Sequence, residues 1–229
     1  MNKSLITAMM PLLFKGLRYT ILIALVGIMC GLFIGCLVGY ALQCRHRILR
    51  IVSYFYIWLI RGTPLIVQAL YIYFVVPKLF NMSLAISYGG KIIISENVIA
   101  GLIAIAINSG AFIAEIVRSA LESVDKGLWE AGLALGLTYW QVLFYIAAPI
   151  ALKNILPALF NQFIISVKDT SILTIIVVPE ITHQMQNYAI TTFKTIPAYT
   201  FGALFYLFII SILMIIQKYI EKRYFTNRP

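Results

Sequence analysis

The sequence predicts an all-α integral membrane protein with five transmembrane helices. Three observations carry that prediction. Of 229 residues, 62% are apolar and only 11% are charged, where a soluble domain carries about 45–50% and about 25%. Mean hydropathy is +0.93. The apolar residues gather into runs of roughly the 20 needed to cross a bilayer. Disorder is excluded, because it needs low hydrophobicity and high charge. A soluble globule of this composition lacks the polar groups to cover its surface.

Taken in order, the spans fall at about 17–42, 48–76, 98–117, 156–178 and 198–216, in one transmembrane domain over 1–229. The first, Leu17–Leu42, is too long for the apolar core of a cleavable signal and has no small-x-small cleavage site. It carries Gly27, Gly31, Gly35 and Gly39 four residues apart, one stripe on one helix face where a second helix can approach closely. The second span is broken at Arg61-Gly62-Thr63-Pro64. Proline removes a backbone donor and glycine loosens the chain. In a bilayer the freed backbone groups survive only against protein or a wet cavity. The break therefore reads as a bend around a translocation path, which the adjacent arginine favours, or as a packing kink.

Between the third and fourth spans, Ser119–Lys153 is the least membrane-like long stretch. It holds Glu122, Asp125, Lys126, Glu130 and Lys153, yet keeps helical apolar spacing at Leu121, Val124 and Leu128, then Leu133, Leu135 and Leu137. Short amphipathic helices at the membrane face are expected, with Pro149 and Pro157 interrupting the chain before it re-enters the bilayer. Such a segment serves either as a docking helix for a cytosolic partner or as an interfacial helix resting on lipid.

Five spans put the termini on opposite sides, and charge decides which. With the C-terminus cytoplasmic, the inner segments hold Arg45, Arg47, Arg50, Arg118, Lys126, Lys153, Lys218, Lys222, Arg223 and Arg228, ten of the 18 basic residues. The outer segments hold Lys3, Lys15, Arg18, Lys78, Lys91 and Lys194. The inner excess favours N-terminus outside and C-terminus inside. Because the basic residues sit at span ends, the net charge of +10 reads as a topology signal and not as a nucleic-acid surface.

Ionisable residues inside a span are costly and point to function. Arg61, Glu115, Lys168 and Asp169 fall there and sum to zero charge. With Gln68 and Asn108 they form the candidate substrate pathway. A zwitterionic amino acid needs a cation near its carboxylate and an anion near its ammonium, and an amide side chain needs only donors and acceptors. The set suits a neutral polar amino acid. Arg61–Glu115 or Lys168–Asp169 acting as structural pairs is the competing reading.

Elsewhere the chemistry is sparse. Cys30, Cys36 and Cys44 form no CxxC pair and read as small packing residues. His46 reads as a solvated residue of the cytoplasmic face and His183 as part of an outer loop. Neither has a metal-ligand partner at useful spacing, so no metal is expected. Glu180, Gln184 and Gln186 read as a wet loop, with contact to a protein partner outside the membrane as the competing reading. No internal repeat is visible, and five spans are few for a transporter with two inverted halves, so a second copy or a related subunit is expected to complete any pathway.

The motifs then become specific. Glu130-Ala131-Gly132-Leu133-Ala134-Leu135-Gly136, followed by Pro149, resembles the EAA loop of ABC-importer permeases, of the form E-A-A-x-x-x-G and then I-x-L-P. Arg61 to Leu65, Ala114 to Arg118, Val124 to Gly127 and Leu156 to Gln162 resemble the polar amino-acid permeases (histidine/glutamine/arginine type). Ile107 to Ala111, Glu130 to Leu137 and Ile164 to Ser171 are most similar to the glutamine type. The chain departs from the pattern at Gly132, the third EAA position, and at Ala147-Ala148-Pro149, where I-L-P is usual.

The resemblance covers about Leu17 to the C-terminus and implies the type I importer permease fold in a bacterial inner membrane. It implies two permease chains, this one with a second copy or a homologue, embedded in membrane lipid above two cytosolic ABC ATPase subunits. An external binding protein would deliver a polar amino acid, glutamine foremost, for import by alternating access. Glu130, Ala131, Gly132, Gly136 and Pro149 would form the ATPase-coupling loop, with Glu130 fixing the helix and Gly136 its bend. The chain has no Gly-x-x-x-x-Gly-Lys-Ser/Thr loop. No cofactor is expected in it: ATP and Mg would be bound by the partner ATPase, and the chain itself would not be an enzyme. The alternative is a secondary transporter or channel for a small polar solute with no ATPase, which leaves Ser119–Lys153 unexplained. A membrane enzyme would need a catalytic cluster, and none is visible.

Overall fold

The computed structural model describes residues 3–44, 46–88 and 91–225. Arg45 and Arg228, counted above for topology, lie outside them. The chain is almost wholly helical. Helix α1 runs Lys3–Ala41 and α2 runs Arg47–Arg61. After the break, α3 (Leu65–Leu70) continues through a π-helical turn, Tyr71–Val75, into α4 (Val76–Phe80). A small antiparallel hairpin, β1 (Ile86–Tyr88) and β2 (Lys91–Ile94), leads into α5 (Glu96–Glu122). Next come α6 (Lys126–Ala134) and α7 (Tyr139–Val142), with a second π turn, Leu143–Ala147, joining α7 to α8 (Ala148–Asp169). A 3-10 turn (Thr170–Ile176), α9 (Ile181–Thr192) and α10 (Thr195–Phe225) complete the chain.

The glycine stripe of α1 meets α5. Cβ atoms added at Gly27 and Gly35 would lie 2.6 Å from the side chains of Ile105 and Ile113. At Gly31 and Gly39 they would meet Ser109 at 2.9 Å and the Ala114 carbonyl at 2.8 Å. Small residues are what let the two backbones approach this closely. The register rises on both helices together, so α1 and α5 run parallel. The segment between them must then recross the bundle. Among the described residues four helices are long and apolar enough to cross a membrane, and five spans result when the pair Arg47–Arg61 and Leu65–Phe80, bent by 100°, is counted as one. The start of α10 packs beside the start of α1, where Met9 and Leu13 share a core with Ala198, Phe201 and Phe205. The start of α1 and the end of α10 therefore lie at opposite ends of the bundle.

Several expected boundaries move. The first helix begins at Lys3 instead of near Leu17, because Met9 and Leu13 bury against α9 and α10. The expected loop at 119–153 shrinks from both ends: α5 extends to Glu122, and helix resumes at Tyr139. Pro149 and Pro157 do not interrupt this helical run. Each π turn ends two residues before a proline, Pro77 or Pro149. The N–H groups of Val76 and Ala148 bond to the carbonyls of Tyr71 and Leu143, five residues back. Such widening eases the clash of a proline ring with the carbonyl four residues earlier. His183 lies in α9, not in a loop, and Glu180 and Gln184 are buried, so the wet-loop reading fails for both. Cys30 and Cys36 are exposed, so they are not packing residues of the core.

Candidate functional site

The site is built at the break in the second span. Pro64 follows Thr63 in extended conformation (φ −63°, ψ 141°) and starts α3 without a donor to spare. The last carbonyls of α2 would be orphaned there, and in a membrane each must find a donor. Thr63 Oγ1 donates to the Leu59 carbonyl at 2.9 Å. Gln68 Nε2 donates to the Ile60 carbonyl at 2.7 Å, to the Thr63 carbonyl at 3.0 Å and to Thr63 Oγ1 at 3.0 Å. Gln68 Oε1 in turn accepts from Asn108 Nδ2 of α5 at 3.2 Å. Gln68 is buried, and its amide is committed on both sides to the fold.

Beside the break lies a recess of about 320 Å³, lined by Ile60, Arg61, Thr63 and Leu65 from the break, Asn108 and Phe112 from α5, and Gln162, Ile165 and Asp169 from α8. The volume lies at the lower end of the range for small-molecule sites, about 300–1,000 Å³. The Asp169 carboxylate receives no hydrogen bond from a described residue. A second recess adjoins the first and contains Glu115, Ile116 and Ser119. Arg61, Phe112 and Gln162 belong to both and form the wall between them.

Arg61 is lightly held. Its guanidinium carbon is 5.1 Å from the centre of the Phe112 ring, a cation–π contact. Its nearest carboxylate oxygen, on Glu115, is 3.9 Å away, beyond hydrogen-bond reach. Glu115 is instead bound to Arg118 at 3.0 Å, and Arg118 to Glu122 at 3.1 Å. The structure thus brings Arg61, Asn108 and Asp169 to one recess and Glu115 to its neighbour. Gln68 lines neither. Lys168 faces a third recess, with Ser171, Tyr206, Leu207 and Ile210. Sequence reasoning places Thr63 in the break and Gln162 among the polar neighbours of the charged residues but puts neither in the candidate pathway, and it misses Phe112. An apolar ring and two neutral polar side chains are ordinary in a membrane helix, and only tertiary packing puts them around Arg61.

At the C-terminal end of α5, Asp125 caps α6 by accepting from the Gly127 N–H at 2.7 Å. Gly136 ends the motif at φ +82°, a left-handed conformation that glycine adopts without strain. Thr138 and Gln141 then form a reciprocal capping box that starts α7. The Gly132 departure has a packing cause, since a Cβ there would lie 2.8 Å from Val142 and 3.0 Å from Ile146. Glu130 and Ala131 face outward, as do Leu128, Leu133 and Leu135. Pro149 lies within the long helix instead of the loop, one residue into α8. Among the described residues no cluster of His, Cys, Asp and Glu is placed to hold a metal.

The family model for binding-protein-dependent transport system inner membrane components matches residues 27–226. The glutamine transport system permease protein GlnP of Escherichia coli K12 is 42% identical over 213 residues, covering 93% of each chain. The probable amino-acid ABC transporter permease protein YckA of Bacillus subtilis is 34% identical over 223 residues, covering 97% of this chain and 93% of the relative. The crystal structure of an amino acid ABC transporter with histidines superposes with a TM-score of 0.86 at 30% identity, covering 97% of this chain and 99% of the other.

Proposed function

The chain belongs to the binding-protein-dependent transport system inner membrane component family, and we propose from that premise that it is the permease subunit of an ATP-driven importer for a polar amino acid, glutamine first. The likeness over 93% of the chain to a glutamine permease carries this reading. Two permease chains, this one with a second copy or a homologue, form the path across the inner membrane. Two cytosolic ABC ATPases bind ATP and Mg below it, and an external binding protein delivers the amino acid. The N-terminus lies outside and α6 lies inside, in keeping with the basic excess on the cytoplasmic segments.

The work of the chain is alternating access without bond chemistry. Closure of the ATPase dimer pushes on α6, with Glu130 as a docking contact and Gly136 letting the chain turn from α6 into the long helix. In the recess, Arg61 receives the substrate carboxylate and Asp169 its ammonium group. Asn108, Gln162 and Thr63 offer donors and acceptors to an amide side chain. Arg61 holds Glu115 only at 3.9 Å, and the Asp169 carboxylate accepts no hydrogen bond from a described residue, so a zwitterion gains both interactions by displacing no more than that long ion pair. The adjoining recess with Glu115 is the next station toward the cytoplasm.

Proteoliposomes holding the chain with its partner ATPase test this. Loaded glutamine-binding protein should stimulate ATP hydrolysis and drive glutamine uptake. ATPase association without a glutamine effect would move the substrate to another amino acid. No association with an ABC ATPase would overturn the importer reading.

A further inference from the structure

The Gln68–Asn108 amide pair has a role separate from touching substrate. The recess leaves Gln68 out, although it is the best-connected polar group near the break. Its Nε2 reaches three oxygens of residues that flank Arg61: the carbonyls of Ile60 and Thr63, and the Thr63 hydroxyl. Its Oε1 is held by Asn108, a residue of α5. Arg61 itself is fixed by little else, with a ring contact to Phe112 and a 3.9 Å approach to Glu115. The backbone on either side of Arg61 is held by Thr63 within the break and by Gln68, and of these two side chains Gln68 is the one bonded to α5.

Helix α5 ends at Glu122, and after three intervening residues α6 begins at Lys126. A displacement of α6 reaches Asn108 through the short turn at 123–125 and then along α5. We infer that Gln68 is a positioning residue and that the Gln68–Asn108 amide pair is the joint through which α5 sets the placement of Arg61. The inference rests on the reading of Arg61 as the receiver of the substrate carboxylate. Its physical basis is that a buried amide bridging orphan carbonyls cannot be exchanged for water inside a membrane, so the break and α5 move together. Small misplacement of a binding group is enough to slow a transfer step severely.

Near-isosteric variants test the joint. Gln68→Glu removes both donors to the break, and Gln68→Met removes them without adding charge. In proteoliposomes with ATPase and loaded binding protein, each should lower turnover by about tenfold or more. The half-saturating concentration of loaded binding protein and the amount of co-purified ATPase should stay at wild-type values. Arg61→Lys keeps the charge but not the fork. Combined with either Gln68 change, it should fall no further than Arg61→Lys alone. Multiplicative losses in the double variant would overturn the joint, as would wild-type turnover in both Gln68 variants while Arg61→Lys is impaired. Wild-type turnover in Arg61→Lys and in Arg61→Ala would instead sink the reading of Arg61 on which the joint rests.

Discussion

Gly35 of α1 stands so close to Ile113 of α5 that an added β-carbon would lie 2.6 Å from Ile113 Cγ2 and 2.7 Å from its Cβ. Ile113 is fully buried, with Val117 and Ala120 in the same cluster, so it has no room to yield. Gly35→Leu should therefore force the helices apart, at a cost of about 1–3 kcal/mol or more. A lower melting midpoint of the purified chain in detergent would register this. An unchanged midpoint would mean that α1 and α5 do not pack as closely in solution.

Asp169→Asn should impair glutamine uptake and leave ATPase association intact, because the substrate ammonium loses its counter-charge while α6 is untouched. Radiolabelled uptake together with co-purification of the ATPase separates the two effects. Full uptake would make Asp169 incidental to transport.

Glu130→Lys should block coupling, reversing charge on the outward face of α6 without touching the bundle. The expected outcome is a chain that still inserts and melts normally but no longer links ATP hydrolysis to uptake. Wild-type uptake would remove Glu130 from the docking surface.

Glu180 gives a pH dependence. It is fully buried at the start of α9 and accepts from the Thr182 and His183 N–H groups at 2.7 and 2.6 Å and from the Tyr206 hydroxyl at 3.0 Å. Burial pushes its carboxyl up to about 7, outweighing those hydrogen bonds, which favour the charged form. Burial pushes the neighbouring His183 the other way, below the usual histidine value. Because the folded carboxyl holds its proton more tightly than the unfolded one, its contribution is complete below the unfolded value. That contribution is lost as pH rises toward and through about 7. Hydrogen exchange in α9, corrected for the intrinsic rate, should speed up over that window. Glu180→Gln, neutral throughout, should flatten the dependence. An unchanged profile in that variant would assign the effect to another group.

Composition and run length alone determined that this chain is a helical membrane protein with five candidate spans. Spacing alone determined the α1 glycine seam, the break at Arg61 to Pro64 and the short helix holding Glu130. These features are local, written in consecutive residues, and a bilayer leaves few other solutions. Tertiary structure decided what meets what. It matched the glycine stripe to α5 and turned the break through 100°. Arg61 and Asp169, far apart in the chain, came to share one recess, while adjacent Lys168 and Asp169 were sent to different ones. Gln68 was set outside that recess, bonded to the break and to Asn108. Such facts depend on helix rotation and on which orphan carbonyls need donors, and both are settled only when the helices pack.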